Sequence, residues 1–178
     1  VELDGVPLAA AQYELSTEQL SLPKVSDSFT LKTRVRIHPE ANTSLEGLYQ
    51  SSGMFCTQCE AEGFRKITWF LDRPDVMARY TVTLEADQTK FPVLLSNGNC
   101  VASGTSDNGR HWTQWQDPFP KPSYLFALVA GNLGVLEDAF TTASGRNITL
   151  RLYSEPENVS RLHHAMASLK QAMRWDEE

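Results

Sequence analysis

The chain has 178 residues, of which 41% are hydrophobic and 21% charged, which is the composition of one globular domain with a buried core and excludes a disordered or fibrous protein. Its formal net charge of −6 provides no basic surface for phosphate backbones, so nucleic acid is not an expected partner. The longest apolar run, residues 124–130, is far shorter than the about 20 residues of a membrane-spanning helix, so no membrane span is expected.

The chain ends and the cysteine count bear on whether the chain is part of a longer protein and on its redox compartment. It starts at Val1 without a basic leader and stops at Glu178 without a recognisable end signal, so we expect a piece of a longer protein. Its 3 cysteines are an odd number, which argues against a disulfide framework and fits a reducing cytosol. A cytoplasmic location is therefore expected.

Alternating side chains indicate strands in the first half of the chain. Residues 29–37 alternate apolar with polar and end before Pro39, which predicts a strand with one solvated face. Residues 76–86 repeat the pattern, with Tyr80, Val82 and Leu84 on the apolar side. Both segments are predicted to belong to an antiparallel sheet.

Turn signals punctuate the second half. Asn97-Gly98 and Asn108-Gly109 can both adopt the positive φ of tight hairpin turns, which predicts a meander from about residue 93 to residue 116. Three more strands are expected between glycines. They cover residues 124–130, 135–140 and 147–153.

A helical period replaces the strand pattern near the C-terminus. Apolar residues recur at spacings of three and four from Val159 to Met173, and Asn158 is the expected N-cap. The helix could lead into a further structural unit or fold back on the sheet. The fold class predicted is mainly β, an antiparallel β-sandwich or saddle-like sheet domain over residues 1–155, with a C-terminal helix over residues 156–178.

Gln58 and Glu60 are the candidate site residues. In an extended segment alternate side chains point to the same side, so these two would project together while Cys59 faces the other way. A carboxylate beside an amide carbonyl suits an ammonium group with three donors. On the residues alone, however, two solvated strand residues are the commoner explanation.

A metal site within the chain is not expected. Cys56 and Cys59 have the C-x-x-C spacing of a zinc knuckle, but a tetrahedral site needs two more ligands, and only Cys100 and isolated histidines remain. His163 and His164 are adjacent on the predicted helix and do not form the i, i+4 pair of H-E-x-x-H. Partly buried structural cysteines are the better interpretation.

Three runs of sequence carry a family resemblance. They are CTQCEAEGFR at residues 56–65, LDRPDV at residues 71–76 and DPFPKP at residues 117–122. Together they resemble the amino-terminal β-domain of the zinc-dependent gluzincin aminopeptidases, in the form found in bacterial aminopeptidase N. The resemblance covers roughly residues 45–178 and is loose over residues 1–44. It implies that the sheet lacks its first strands and exposes an edge.

The resemblance also implies a function. In that family the Gln-x-Glu of the β-domain lines the pocket for the first residue of a peptide substrate, and its glutamate helps to hold the free amine; Gln58 and Glu60 match these positions. Zinc, its H-E-x-x-H ligands and the catalytic base belong to a catalytic domain absent from this chain, which would pack against the β-domain. The resemblance thus implies part of a zinc aminopeptidase with no catalytic residue of its own, inactive when alone.

A second interpretation comes from a different class. A free-standing, non-catalytic β-sandwich interaction module could use Gln58, Glu60 and the aromatic residues as a binding face, and nothing in the composition excludes it. The continuation of the reading frame into H-E-x-x-H would discriminate between the two.

Overall fold

The structure is a computed structural model that describes residues 1–22 and 24–178. Its elements are almost entirely antiparallel strands followed by one α-helix, which confirms the predicted fold class. No helix among the described residues is long and apolar enough to cross a membrane. The strands are β1 Glu2–Leu3, β2 Val6–Pro7, β3 Glu14–Leu15, β4 Leu20–Ser21, β5 Leu31–Lys32, β6 Gly47–Ser51, β7 Met54–Gln58, β8 Ala78–Asp87, β9 Val93–Ser96, β10 Asn99–Ser106, β11 Arg110–Lys121, β12 Leu128–Gly131, β13 Gly134–Thr141 and β14 Asn147–Ser154.

The first five strands are two residues long each and form a small sheet, β2-β1-β5, and a separate pair, β3-β4. The strand predicted over residues 29–37 was wrong in extent, because only Leu31–Lys32 pairs, with β1. Residues 33–38 have no ladder partner within the described chain. Alternation alone therefore does not make a strand where no neighbour accepts its hydrogen bonds.

A four-stranded sheet, ordered β6-β7-β12-β9, positions the candidate site. Its β6-β7 hairpin closes through Ser52 and Gly53, whose φ values of 49° and 80° are those of a tight two-residue turn. At the far end of the hairpin Gly47 pairs with Gln58. Of the strand predicted over residues 124–130 only the last part forms, since the 3₁₀ helix Ser123–Leu125 comes first.

A three-stranded sheet, β10-β11-β8, packs across the four-stranded one. On β8 the side chains alternate between half-buried and exposed, as predicted. The buried Leu94 of β9 lies between the two sheets, and the Thr113 hydroxyl donates to its carbonyl oxygen at 3.4 Å. The layers are those of a β-sandwich.

The two predicted hairpin turns had different outcomes. Asn108 and Gly109 have φ values of 62° and 71° and join β10 to β11, as predicted. Asn97-Gly98 also turns the chain, but the strands before and after it belong to different sheets, so the predicted hairpin there was wrong. Gly98 is needed because a Cβ would stand 2.2 Å from the Gln116 carbonyl oxygen.

The last hairpin and the helix make a second core. β13 pairs with β14 as predicted, and the α-helix α1, His163–Glu177, packs against the hairpin through Met166, which is buried with Phe140 and Leu150. The helix therefore folds back. Asn158 is not its N-cap, because it lies in the 3₁₀ helix Pro156–Arg161 that precedes α1.

Candidate functional site

Gln58 and Glu60 are both exposed to solvent in the structure. Gln58 is the last residue of β7 and Glu60 follows two positions later; both are exposed, while Cys59 between them is buried with 3% exposure. Exposure therefore alternates as predicted, although Glu60 belongs to the turn that follows β7 and not to the strand. The Gln58 side-chain amide donates to the Glu60 backbone carbonyl at 3.3 Å, and the Glu60–Ala61 peptide bond is cis.

The backbone after Gln58 is folded into a tight turn. The Gly63 N–H donates to the Cys59 carbonyl at 2.9 Å. A Cβ on Gly63 would stand 2.4 Å from the Gln58 carbonyl oxygen and 2.9 Å from the Gly47 nitrogen, so only glycine fits. The turn thus packs directly on the β6-β7 pairing that carries Gln58.

A buried carboxylate, Asp72, holds the other end of this turn. Its Oδ2 accepts hydrogen bonds from the Arg65 backbone N–H at 3.0 Å and from Arg65 Nε at 3.1 Å, and Arg65 Nη2 donates to the Asp72 backbone carbonyl at 2.8 Å. The fully buried Ser123 hydroxyl donates to Oδ1. Asp72 therefore joins the turn to the 3₁₀ helix that leads into β12.

An aromatic cluster lies beneath the turn. The buried Phe64 meets Phe70 and Phe126 edge-on at ring-centroid distances of 5.1 Å each, and Tyr80 of β8 at 6.2 Å. Such edge-to-face pairs each add about 1 kcal/mol beyond area burial. The Tyr80 hydroxyl is buried and has no hydrogen-bond partner among the described residues. The turn is therefore followed directly by a residue, Phe64, that packs in an aromatic cluster.

The titrating groups beneath the site are shifted by this environment. Burial would raise the pKa of Asp72, but the hydrogen bonds from Ser123 and Arg65 outweigh it and hold the pKa below its usual value. Burial, and then the charge of Asp72, raise the pKa of the Cys59 thiol to about 11. Burial, Asp72 and Cys59 also raise the pKa of Tyr80. Cys59 is thus a protonated, inert thiol at neutral pH.

The charges around the turn leave one carboxylate uncompensated. Arg65 is the basic residue nearest in sequence, and its guanidinium contacts Asp72 and, at 3.4 Å, Glu62. Glu60 makes no ion pair with any residue that the structure describes. An exposed anionic group beside an amide can bind a cationic ligand such as an ammonium group.

The described residues contain no group of three or more His, Cys, Asp or Glu side chains placed to hold a metal ion. Cys59 is buried, Cys100 is exposed, and the cysteines of this part of the chain are free thiols. The zinc of the resembled family therefore has no fitting ligand set within these residues, and no chemical step of this chain passes through it.

The sequence did not predict the Asp72 anchor, because the run LDRPDV was significant only as part of the family resemblance. Asp72 and Ser123 are 51 positions apart, so no local pattern joins them. The available signal was an acidic residue directly after the apolar Phe70 and Leu71, a place where a carboxylate needs a partner if it is buried.

The described residues thus form a mainly β domain that carries an exposed carboxylate just after β7 and no group of side chains placed to hold a metal ion. Residues 3–125 match the Peptidase M1 N-terminal domain family, and the chain belongs to that family. It is 59% identical to an Aminopeptidase N of Caulobacter vibrioides, over the whole chain and 20% of that protein. It is 61% identical to an Aminopeptidase N of Escherichia coli, over 89% of this chain and 18% of that protein.

Solved structures show the same fold. A Legionella pneumophila aminopeptidase A, crystallised in complex with aspartic acid, superposes with a TM-score of 0.88 at 36% identity, over 99% of this chain and 21% of that one. A two-domain M1 zinc metallopeptidase bound to L-arginine superposes with a TM-score of 0.64 at 15% identity, over 87% of this chain and 37% of that one, which shows the fold alone. The chain therefore spans about a fifth of the length of the curated relatives, and the independent interaction module is not favoured.

Proposed function

We propose that this chain is the N-terminal domain of a zinc aminopeptidase that removes the first residue of peptides, and that Gln58 and Glu60 bind the free amine of the substrate. The observation that carries the proposal is the exposed Glu60 carboxylate, which stands beside Gln58 and makes no ion pair within the described chain. Membership of the M1 family supports it, as does the similar aminopeptidase A crystallised with aspartic acid.

The binding of an amine explains why the cleavage would be restricted to chain ends. An α-ammonium group carries a positive charge and three donors, whereas an internal amide carries no charge and one donor. Glu60 would accept from the ammonium and fix the distance between the amine and the scissile carbonyl, and the Gln58 carbonyl would accept a second hydrogen bond. Glu60 is thus a specificity and positioning residue and not the general base.

The chemical step would belong to the rest of the protein. A zinc ion held there would supply Lewis-acid chemistry for polarising the scissile carbonyl and activating a water. This chain would contribute amine binding and orientation, with the catalytic domain as its covalent neighbour and peptides as its partners. We also propose a cytoplasmic location, since the described cysteines are free thiols.

The test is Glu60→Gln in the intact protein, assayed with alanyl 4-nitroanilide. Loss of a charged hydrogen bond, worth about 1.5–3 kcal/mol, should lower kcat/KM about 10- to 100-fold. The matched control is Glu157→Gln, an exposed glutamate of the 3₁₀ helix before α1, which should leave kcat/KM unchanged. An unchanged kcat/KM in Glu60→Gln would refute the role of Glu60.

A further inference from the structure

Arg65, which pairs with Asp72, follows Glu60 by five positions, directly after the turn that contains Glu60. Gly63 folds back on Cys59, and the 3₁₀ helix Phe64–Lys66, which contains Arg65, follows at once. An unpaired guanidinium there would repel a substrate ammonium. It could also form an ion pair with Glu60, in the way that its Nη2 already lies 3.4 Å from Glu62.

The geometry around Asp72 prevents both effects. The Asp72 carboxylate is 4% exposed and accepts from Arg65 Nε and from the Arg65 backbone N–H, while Arg65 Nη2 donates to the Asp72 carbonyl. The two side-chain hydrogen bonds, from Nε and Nη2, fix the direction of the guanidinium, and the third contact fixes the backbone of Arg65. The Ser123 hydroxyl in turn fixes the other carboxylate oxygen.

We propose that Asp72 is a positioning residue for amine recognition: by holding and neutralising Arg65, it keeps Glu60 free to bind the ammonium of the substrate. This inference rests on the proposed function of Glu60 and adds a specific role to a buried pair. This role differs from a purely structural one, because the loss of substrate binding in a variant without Asp72 would be caused by the Arg65 guanidinium, which is then no longer held or neutralised by Asp72. Removing that cation should then repair the defect.

The experiment is a double-mutant cycle in the intact protein with alanyl 4-nitroanilide as substrate. Asp72→Asn keeps the size of the side chain and removes its charge, which leaves the exposed Glu62 as the one counter-charge of Arg65 among the described residues. It should raise KM about tenfold with kcat changed less than about threefold, because a cation with weakened compensation then stands near the bound ammonium. Arg65→Gln alone should change KM less than about twofold. The double variant Arg65→Gln/Asp72→Asn should return KM to within about threefold of the unchanged protein.

Ionic strength provides a second readout that a packing defect would not move. At about 0.5 M salt, charges that remain accessible to ions are screened within a few ångströms and enclosed ones less, so the KM increase of Asp72→Asn should shrink about twofold. The matched control is Asp75→Asn, which removes a carboxylate from the exposed Arg73–Asp75 pair in the same segment and should leave KM unchanged at both ionic strengths.

Each outcome decides the question. If Glu60→Gln lowers kcat/KM but Asp72→Asn leaves KM unchanged, or if the double variant is no better than Asp72→Asn, the role of Asp72 is overturned while that of Glu60 stands. If Glu60→Gln has no effect, the proposed function itself fails. Should Asp72→Asn not fold, Ser123→Ala takes its place: it removes one support of the carboxylate and should raise KM about threefold, reversed by Arg65→Gln, and an unchanged KM overturns the inference.

Discussion

Cys59 occupies the buried side of the strand whose exposed side carries the candidate site. Because burial and the nearby Asp72 charge disfavour the thiolate, its pKa is raised to about 11. The thiol therefore keeps its proton in the folded chain at a pH at which an unfolded chain has already lost it. Cys100, by contrast, is exposed on β10.

The shift at Cys59 predicts alkaline instability. A thiol whose pKa is raised on folding contributes stability that is complete below its unfolded pKa near 9 and is lost as the pH rises toward 11. A shift of this size corresponds to roughly 2 kcal/mol. Urea unfolding of residues 1–178 at pH 8 and pH 11 should show a loss of stability that is smaller by about this amount in Cys59→Ala. Cys100→Ala should lose as much as the unchanged chain, and equal losses in all three proteins would contradict the prediction.

The exposure of Gln58 at the end of β7 and the burial of Cys59 after it could be predicted from the sequence, because extended backbone has a period of two, which needs no knowledge of the partner strands. The Asp72 anchor could not be predicted, because its hydrogen-bond partner Ser123 is 51 positions away in sequence and only the fold brings the two together. What each candidate residue does in catalysis stays a prediction. Local periodicity predicts which side of a strand a side chain is on, whereas its contacts depend on residues that are distant in sequence.

At the scale of elements, α1 is fixed by the β13-β14 hairpin. Met166 is buried at 4% exposure among Phe140 and Leu150. The last turn is held by the Glu177 carboxylate, whose two oxygens each accept from the Ala143 N–H at 3.0 Å, and Lys170 pairs with Asp138. The helix is therefore part of the folded domain rather than a loose extension.

This packing predicts a large cost for truncating Met166. Met166→Ala should lower the free energy of unfolding of residues 1–178 by about 3 kcal/mol, because a buried side chain is lost and a cavity remains. Trp175→Ala is the control on the same helix; its side chain is 78% exposed and the change should be within about 0.5 kcal/mol. Urea unfolding followed by circular dichroism measures both. Similar small values for the two variants would mean that the helix does not hold the hairpin.

The elements that were predicted well have their partners close by in sequence. The β13-β14 ladder and the hairpin at Asn108-Gly109 join neighbouring strands, so local turn chemistry and alternation were sufficient. The strand predicted over residues 29–37 and the hairpin predicted at Asn97-Gly98 were wrong because their outcome depends on strands that are distant in sequence. Which strand lies beside which, and in which sheet, depends on the whole fold.

At the scale of the whole molecule, several large apolar side chains are exposed. Leu71, Phe119 and Trp175 are 70%, 74% and 78% exposed. Under the proposed function, these side chains are candidates for packing on the rest of the longer protein. The chain spans about a fifth of the length of its relatives, so under the proposed function its amine site would be one wall of a larger pocket.

Residues 1–178 alone should bind an amine weakly, because they would provide only one side of the proposed pocket. An exposed carboxylate contributes at most about 1 kcal/mol to an ion pair in water, whereas a Kd of 1 mM requires about 4 kcal/mol. The chain of residues 1–178 should therefore bind alanine amide with a Kd well above 1 mM, followed by NMR shifts of the Gln58 and Glu60 amides, and should not hydrolyse alanyl 4-nitroanilide with or without added zinc. The intact protein, in which a second wall excludes water and strengthens the same charge contact, should bind the amide far more tightly. Equal affinities would place the whole amine site in this domain, and hydrolysis by residues 1–178 would overturn the assignment of the chemical step to the rest of the protein.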